Sequence, residues 1–345
     1  MNPRAADPKA FLAACNRGRE LDHLDLIQVS TGRHLQVSHA TGLLRLCASV
    51  NVVRAPERSS ILLFVSPAAA TSLYALLGRP VAGNPTQEML EAAFAAAGLD
   101  ARYVSLDVED AALADAVRGL RALGVQGAHV TVPHKVAVVS MLDRLTDAAR
   151  LAGAVNCVKR EGDALVGDNT DGKGFLSSLR GVIDPKGKSA VVIGAGGAGR
   201  AIVAELSLAG AARIILVNRT LARAEEIAAA IGAPCEAAQL TEPWTVPAHA
   251  DIVVQATTVG MGDSEARLPL DWSEAAGIAA DVVIAPPRTA FLRDAEAAGR
   301  QTLEGLGMLV EQAIFGFRWW TGIEPDADAM RDALVRELGT PALVA

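Results

Sequence analysis

A chain of 345 residues is long enough for about two domains of ordinary size. With 51% hydrophobic and 21% charged residues it is too apolar for disorder. A formal net charge of −7 and only 4% aromatic residues argue against a nucleic-acid surface, which needs clustered Lys and Arg and stacking platforms. The four cysteines (Cys15, Cys47, Cys157, Cys235) are scattered with no CxxC pair, and the six histidines form no HExxH. Free thiols in a reducing cytoplasm are therefore expected, with no disulfide frame and no metal site.

Residues 1–70 carry no clear periodicity and no chemical motif, so they are set aside as an extension of unknown role. Arg54 and Arg58 precede the uncharged Ile61–Gly78, but this stretch lies far from the N-terminus and is broken by Ser66 and Pro67, so a secretory signal is not expected there. It is also too short for a membrane span, which needs about 20 continuous apolar residues. From Thr71 the pattern alternates. Leu73–Leu77 reads as a strand and Thr86–Ala97 as a helix with Met89, Leu90, Ala93, Phe94 and Ala97 on one face. Ala101–Leu106 is a strand, and Ala112–Leu123 a helix closed by Gly124. Ala128–Val132 reads as a third strand and Lys135–Leu151 as a longer helix. Ser189–Ile193 is a fully apolar strand, followed by a helix over Arg200–Ala209 and by strands at Arg213–Val217, Asp251–Val254 and Ala280–Ile284. Leu309–Thr321 and Asp326–Leu338 close the chain as helices. Strands alternating with helices predict an α/β fold with right-handed crossovers and a mostly parallel sheet.

Three polar clusters precede the second half: His129-Val-Thr131-Val-Pro133-His134-Lys135, Gly153-Ala-Val-Asn156 and Asp168-Asn-Thr170-Asp171-Gly172. Reducing a ketone by hydride leaves a developing alkoxide that needs a proton and nearby positive charge. The ammonium of Lys135 supplies both. Asp171 is its natural partner. Asn156 and Thr131 offer uncharged donors and acceptors suited to hydroxyl groups, and Asp168 reads as loop support. Placed at the start of a helix, Lys135 opposes the helix dipole, which favours a functional role.

Gly194-Ala195-Gly196-Gly197-Ala198-Gly199 follows a buried strand and opens a helix, the context in which a G-x-G-x-x-G fingerprint holds a dinucleotide pyrophosphate. An NAD enzyme places Asp or Glu at the end of the next strand to hold the ribose 2′-OH. Here Asn218-Arg219-Thr220 stands there, with Arg223 one turn on. A guanidinium grips a 2′-phosphate that a carboxylate would repel, so NADP is the expected cofactor.

At these clusters the chain resembles the shikimate dehydrogenase family, whose pattern is N-V-T-V-P-x-K, then G-A-V-N, then D-N-T-D-G. The resemblance runs from about Thr71 to the C-terminus. It implies a two-domain α/β fold with an N-terminal substrate domain (71–171), a Rossmann-type NADP domain (172–304), and C-terminal helices (305–345) returning to the first. It implies NADPH-dependent reduction of 3-dehydroshikimate to shikimate, in aromatic amino acid biosynthesis, by a cytoplasmic monomer or homodimer. Lys135 and Asp171 then carry the chemistry. Thr131, Asn156 and Gln312 contact the substrate, and Thr257, Ile284 and Gly305 join the glycine loop around the cofactor.

The chain also departs from the family. An S-x-S-P segment that holds the substrate carboxylate is replaced by Gly83-Asn84-Pro85-Thr86-Gln87, which makes Asn84 and Thr86 the substrate candidates, with Thr86 also readable as a helix N-cap. Ile284 stands where a tyrosine is common, His129 where Asn is usual, and Gln255 replaces Asn in an Asn-Ala-Thr turn. A quinate or aminoshikimate dehydrogenase, or a non-catalytic NADP-binding regulator, stays open beside the main reading. No nucleic-acid or membrane partner is expected.

Overall fold

The computed structural model describes residues 71–274 and 277–339, together with the backbone of two strands, 50–54 and 61–65. Those strands, β1 (Val50–Arg54) and β2 (Ile61–Val65), pair antiparallel within a separate unit, Met1–Ala70. The expectation of an unpatterned extension therefore misses a hairpin, while Cys15 and Cys47 lie outside the described residues. Among the described residues no helix is long and apolar enough to cross a membrane.

The unit Thr71–Ala345 is built on two six-stranded sheets. The first begins with β3 (Ser72–Gly78), α1 (Thr86–Ala96), β4 (Ala101–Asp107), α2 (Leu113–Ala122) and β5 (Gly127–Val130). Their registers are parallel, as the alternating pattern predicts. The helices bury the residues their spacing assigns: Met89, Leu90, Ala93 and Phe94 on α1, and Leu113, Val117 and Leu120 on α2. Full burial of each larger apolar side chain contributes about 1.5–3 kcal/mol.

Beyond β5 the structure departs from the predicted long helix. Thr131–Val136 form a turn and Ala137–Met141 a 3₁₀ segment, followed by β6 (Arg144–Leu145) and α3 (Asp147–Ala152). The β-branched Val136, Val138 and Val139 are poor helix formers. Thr146 starts the chain afresh, its hydroxyl accepting from Ala149 N at 3.2 Å to cap α3. Next, β7 (Cys157–Glu161) and β8 (Ala164–Asp168) form a hairpin around Gly162, whose φ is +64°. So short a loop needs a positive-φ residue and reverses the chain, and β7 runs antiparallel to both its neighbours, β5 and β8, whereas β6 pairs with β8 in parallel. The first sheet, ordered β4-β3-β5-β7-β8-β6, is therefore mixed.

The second sheet is wholly parallel. α4 (Thr170–Arg180) leads into β9 (Ser189–Ile193), α5 (Gly197–Leu208), β10 (Arg213–Asn218), α6 (Leu221–Ile231) and β11 (Cys235–Gln239). The small pair β12 (Trp244–Thr245) and β14 (Leu270–Asp271) flanks β13 (Ile252–Gln255), and β15 (Ile278–Asp281), α7 (Ala290–Ala297) and β16 (Thr302–Leu303) complete the sheet. Its order, β11-β10-β9-β13-β15-β16, is the doubly wound arrangement that places ligands outside the strand ends where the order reverses. β15 ends at Asp281, three residues before the predicted strand end, so Ile284 stands in the following loop with Ala285 and Pro286.

The last helices, α8 (Leu306–Thr321) and α9 (Ala327–Leu338), pack on the first sheet. Leu309, Ala313, Phe317, Trp320, Met330 and Leu334 share one core with Tyr74, Leu76, Met89, Leu90 and Phe94. α4 is wedged between α5 and α8, and two glycines permit this. A Cβ at Gly172 would lie 2.4 Å from Ala201 O, and one at Gly174 would lie 2.6 Å from Gln312 N. The helix that carries Asp171 in its first turn is thereby held against both the glycine-loop helix and the returning helix.

Candidate active site

The turn after β5 and the loop after β3 leave adjacent parallel strands at the same sheet edge. Arg79 N donates to Val132 O at 2.9 Å, tying the two together. Lys135 stands in that turn, not in a helix, so the dipole argument for it falls away. Its ammonium donates to Asp171 Oδ2 at 2.6 Å, with side-chain exposures of 16% and 8%. Such a pair, largely withdrawn from water but not sealed, has an ammonium that is oriented and still able to exchange its proton.

Asp171 sits in the first turn of α4, where a carboxylate complements the helix N-terminus. Asn169 caps that helix, accepting from Asp171 N at 3.1 Å and donating through Nδ2 to Ala154 O at 3.0 Å. Asn156 is buried beside it. Its Nδ2 lies 2.9 Å from Asp171 Oδ1, 3.0 Å from Thr170 Oγ1 and 3.3 Å from Gln312 Oε1, while its Oδ1 accepts from Thr170 N at 2.6 Å. Lys135, Asn156, Asp171 and Gln312 thus form one network drawn from four segments of the chain. Asp168 stands behind it, accepting from Thr146 Oγ1 and Lys173 Nζ, each at 2.5 Å, in the supporting role read from the sequence.

Thr131 packs its methyl group against Gly78, and no hydrogen bond engages its hydroxyl among the described residues. Thr86 is buried at the start of α1, also with an unengaged hydroxyl among the described residues. It is not the N-cap: Pro85 occupies that position, and Asn84 Oδ1 accepts from Thr86 N at 3.0 Å. The amide oxygen of Asn84 is therefore spent on the backbone, whereas Thr86 keeps its hydroxyl free.

Across the cleft, Gly194 adopts φ +115° and approaches Ala256 so closely that a Cβ would lie 2.6 Å from its carbonyl oxygen. Gly196 begins α5 with no side-chain cap, and a Cβ there would meet nothing within 4 Å, leaving room before the helix N-terminus for an anion. Ala195 N donates to Asn218 Oδ1 at 3.2 Å, linking the glycine loop to the end of β10. Arg219, Thr220 and Arg223 are exposed around the start of α6, and neither arginine forms an ion pair among the described residues. These residues fit a dinucleotide with a 2′-phosphate: small residues for the pyrophosphate, two unengaged guanidinium groups for the phosphate. A Cβ on Gly197 would sit 3.1 Å from Lys135 Cδ, so the lysine stem reaches the glycine loop.

The remaining cofactor-side candidates gather at the ends of β13 and β15. Gln255 shapes its turn by accepting from Thr257 N at 2.5 Å and donating to Val259 O at 2.8 Å. Ile284 is half-buried against the core that includes Leu306 and Leu309, and Gly305 lies against Val283 O. Asp281 escaped the sequence reading. It is buried, accepts from Thr289 Oγ1 at 2.5 Å and from Val283 N at 2.9 Å, and burial pushes its carboxyl up to about 6. It holds the loop carrying Ile284. An aspartate ending an apolar strand carries no motif that marks it.

Comparison with known proteins agrees with this geometry. Family models match at residues 76–158 (shikimate dehydrogenase substrate binding domain), 179–261 (shikimate / quinate 5-dehydrogenase) and 305–335 (shikimate 5′-dehydrogenase C-terminal domain). The shikimate dehydrogenase (NADP(+)) of Bacillus subtilis is 40% identical over 77% of this chain and 98% of its own length. Among solved structures, the 5-ketofructose reductase of Gluconobacter sp. strain CHM43 is 46% identical, with a TM-score of 0.72 over 77% of this chain and 98% of that one. The shikimate 5-dehydrogenase of Thermus thermophilus, in complex with NADP(H) and shikimate, is 37% identical, with a TM-score of 0.70 over 77% and 99%. Identity at this level along nearly the whole length of these proteins, over a fold that assembles the three polar clusters beside the glycine loop, places the chain in the shikimate dehydrogenase family.

Proposed function

We propose that this chain is an NADP-dependent shikimate dehydrogenase, reducing 3-dehydroshikimate to shikimate at the expense of NADPH. The observation that carries the reading is the Lys135–Asp171 pair at 2.6 Å, with the lysine stem against the glycine loop. When bound, NADPH supplies the hydride. Lys135 donates the proton that quenches the developing alkoxide, and Asp171 keeps the ammonium aimed into the cleft. Asn156, Gln312, Thr131 and Thr86 orient substrate hydroxyl groups, and Asn84 supports them from the start of α1. Gly194–Gly199 cradle the pyrophosphate, Asn218–Thr220 and Arg223 hold the 2′-phosphate, and Thr257, Ile284 and Gly305 line the nicotinamide side. We assign 71–171 with 305–345 to substrate and 172–304 to cofactor.

A second reading has its own support. The named 5-ketofructose reductase is more similar to this chain than either named shikimate dehydrogenase, at 46% against 40% and 37% identity. The commitment of Asn84 Oδ1 to Thr86 N also weakens the corner where a carboxylate would sit. On this reading the substrate is an uncharged polyhydroxy ketone, and the Lys135 chemistry is unchanged. One experiment tests both: NADPH oxidation with 3-dehydroshikimate and with 5-ketofructose, and NADP⁺ reduction with shikimate and quinate. A protein that binds NADPH but turns over none of these is not a dehydrogenase of this kind.

A further inference from the structure

Arg200 is the only charged residue between Gly194 and Glu205, and it lies in the first turn of α5, where a cation opposes the helix dipole. Yet it is not turned out to solvent. Its side chain is 15% exposed, although its ion-pair partner, Glu226 on α6, is 65% exposed. A pair with so exposed a carboxylate adds little to stability, so the withdrawn guanidinium has its use in placement. Arg200 Nη2 donates to Glu226 Oε1 at 2.9 Å. The other terminal nitrogen, Nη1, lies at Gly153, where a Cβ would stand 3.4 Å from it. Gly153 is the C-cap of α3, with φ +60°. The guanidinium therefore spans a seam. On one side is the cofactor half of the chain, and on the other the C-terminal end of a substrate-half helix, whose last carbonyls suit a cation.

Beyond the seam lies the support of the proton donor. Gly153 opens the segment that ends in Asn156. Within it Val155 N donates to Lys135 O at 2.8 Å, and Ala154 O accepts from Asn169 Nδ2 at 3.0 Å. The main chain of Lys135 is thus bound to the segment that Arg200 abuts. The side chain of Lys135 meets the same helix one turn earlier. Gly197 and Arg200 are neighbours on one face of α5, and a Cβ at Gly197 would lie 3.1 Å from Lys135 Cδ. The first turn of α5 therefore addresses Lys135 twice, directly at Gly197 and through Gly153 by way of Arg200. Its other residues are Gly and Ala, which let the helix come close but cannot set a distance. Arg200 can, because Glu226 fixes one end of a planar guanidinium.

We propose that Arg200 is a positioning residue for proton transfer: anchored by Glu226, its guanidinium braces Gly153 and so holds the Lys135 turn at the distance from the glycine loop that presents the ammonium to the substrate carbonyl. It touches neither substrate nor cofactor. The inference rests on the dehydrogenase reading of the cleft. A misplacement of about 1 Å at the reacting centre costs up to about 10²-fold in rate, so loss of the brace is read in kcat while binding is spared.

A double-mutant cycle on the full chain tests this, with kcat, KM and NADPH affinity measured for each variant. Arg200→Met, which keeps the stem and removes the guanidinium, should lower kcat about fivefold or more, with KM and NADPH affinity each within about threefold of wild type. Arg200→Lys, which can reach Glu226 or Gly153 but not both, should recover part of the loss. Glu226→Ala should lower kcat about twofold or more. Added to Lys135→Ala, Arg200→Met should lower kcat less than about twofold further, because the group it positions is gone. General structural support would cost the same in either background. A smaller fall than about fivefold in Arg200→Met, a loss of equal size in the Lys135→Ala background, or a loss confined to NADPH affinity overturns this inference and leaves the dehydrogenase reading intact. The last of these would make Arg200 a cofactor-binding residue. Should Arg200→Met fail to fold, Glu226→Ala decides, and an unchanged kcat in it overturns the inference. Wild-type protein that turns over no substrate overturns the functional reading and this inference with it.

Discussion

Asn156 Nδ2 lies 2.9 Å from Asp171 Oδ1, on the carboxylate oxygen opposite the one that Lys135 holds. The carboxylate is thus gripped from both sides, which fixes the direction in which the ammonium is presented. Pre-oriented charge of this kind needs no reorganisation when the alkoxide forms. Lys135→Ala should therefore lower kcat by about 10²–10⁴-fold with NADPH affinity nearly unchanged. Asp171→Asn should be severe as well, since it removes the charge but keeps the shape. Steady-state kinetics beside NADPH fluorescence titration check both. Near-normal turnover in Lys135→Ala would mean that the proton comes from elsewhere.

Arg219 bears on the choice of cofactor. It is exposed and free of ion pairs among the described residues, so removing it disturbs nothing else in the fold. Arg219→Ala should weaken NADP by about tenfold or more, the size of a lost charge-assisted bond of roughly 1.5–3 kcal/mol partly offset by Arg223. NAD, lacking the 2′-phosphate, should be nearly unaffected. Equal losses for the two dinucleotides, measured by titration, would place the 2′-phosphate away from Arg219.

Asp281 gives a prediction about pH. Burial raises its folded-state pKa to about 6, above the ordinary carboxylate value. The folded protein then holds the proton more tightly than the unfolded chain. The associated stability is fully present below about pH 4 and is lost as pH rises through about 6, a change on the order of 3 kcal/mol. Asp281→Asn keeps an oxygen acceptor for Val283 N, presents an amide group to Thr289 in place of the second carboxylate oxygen, and cannot titrate. The stability difference between wild type and Asp281→Asn, from urea unfolding, should shift in favour of the variant between pH 4 and pH 7. A pH-independent difference would show that the carboxyl is not held protonated.

The parts of the fold that the sequence made legible are those in which local pattern and tertiary burial agree. The spacing of Met89, Leu90, Ala93 and Phe94 places α1 on its core, and the apolar run Ser189–Ile193 marks a strand buried on both faces. The pattern misled where short-range preferences compete. The valines after Lys135 have helical spacing but poor helical propensity, and β7 carries Lys159, Arg160 and Glu161, which hide a strand. The clusters at Lys135, Asn156 and Asp171 were visible as motifs because each is short. Their mutual geometry was not, because it depends on Gly172 and Gly174 letting α4 sit between two other helices. The pairing of His129 with Gly316 is further out of reach, since these residues meet only after the C-terminal helix returns.

The last prediction separates the two polar residues at the start of α1. Thr86 keeps an unengaged hydroxyl among the described residues, whereas Asn84 Oδ1 already accepts from Thr86 N at 3.0 Å. Removing a group that binds substrate equally in ground and transition states raises KM and spares kcat. Thr86→Ala should do this by several-fold or more, with thermal stability almost unchanged. Asn84→Ala should instead lower stability by about 1 kcal/mol, the worth of one local hydrogen bond, and raise KM less because its effect is carried through the helix start. Kinetics and thermal melts of the two single variants distinguish the roles. If Asn84→Ala raises KM as much as Thr86→Ala while melting like the wild type, Asn84 itself reaches the substrate and its bond to Thr86 N is exchanged on binding.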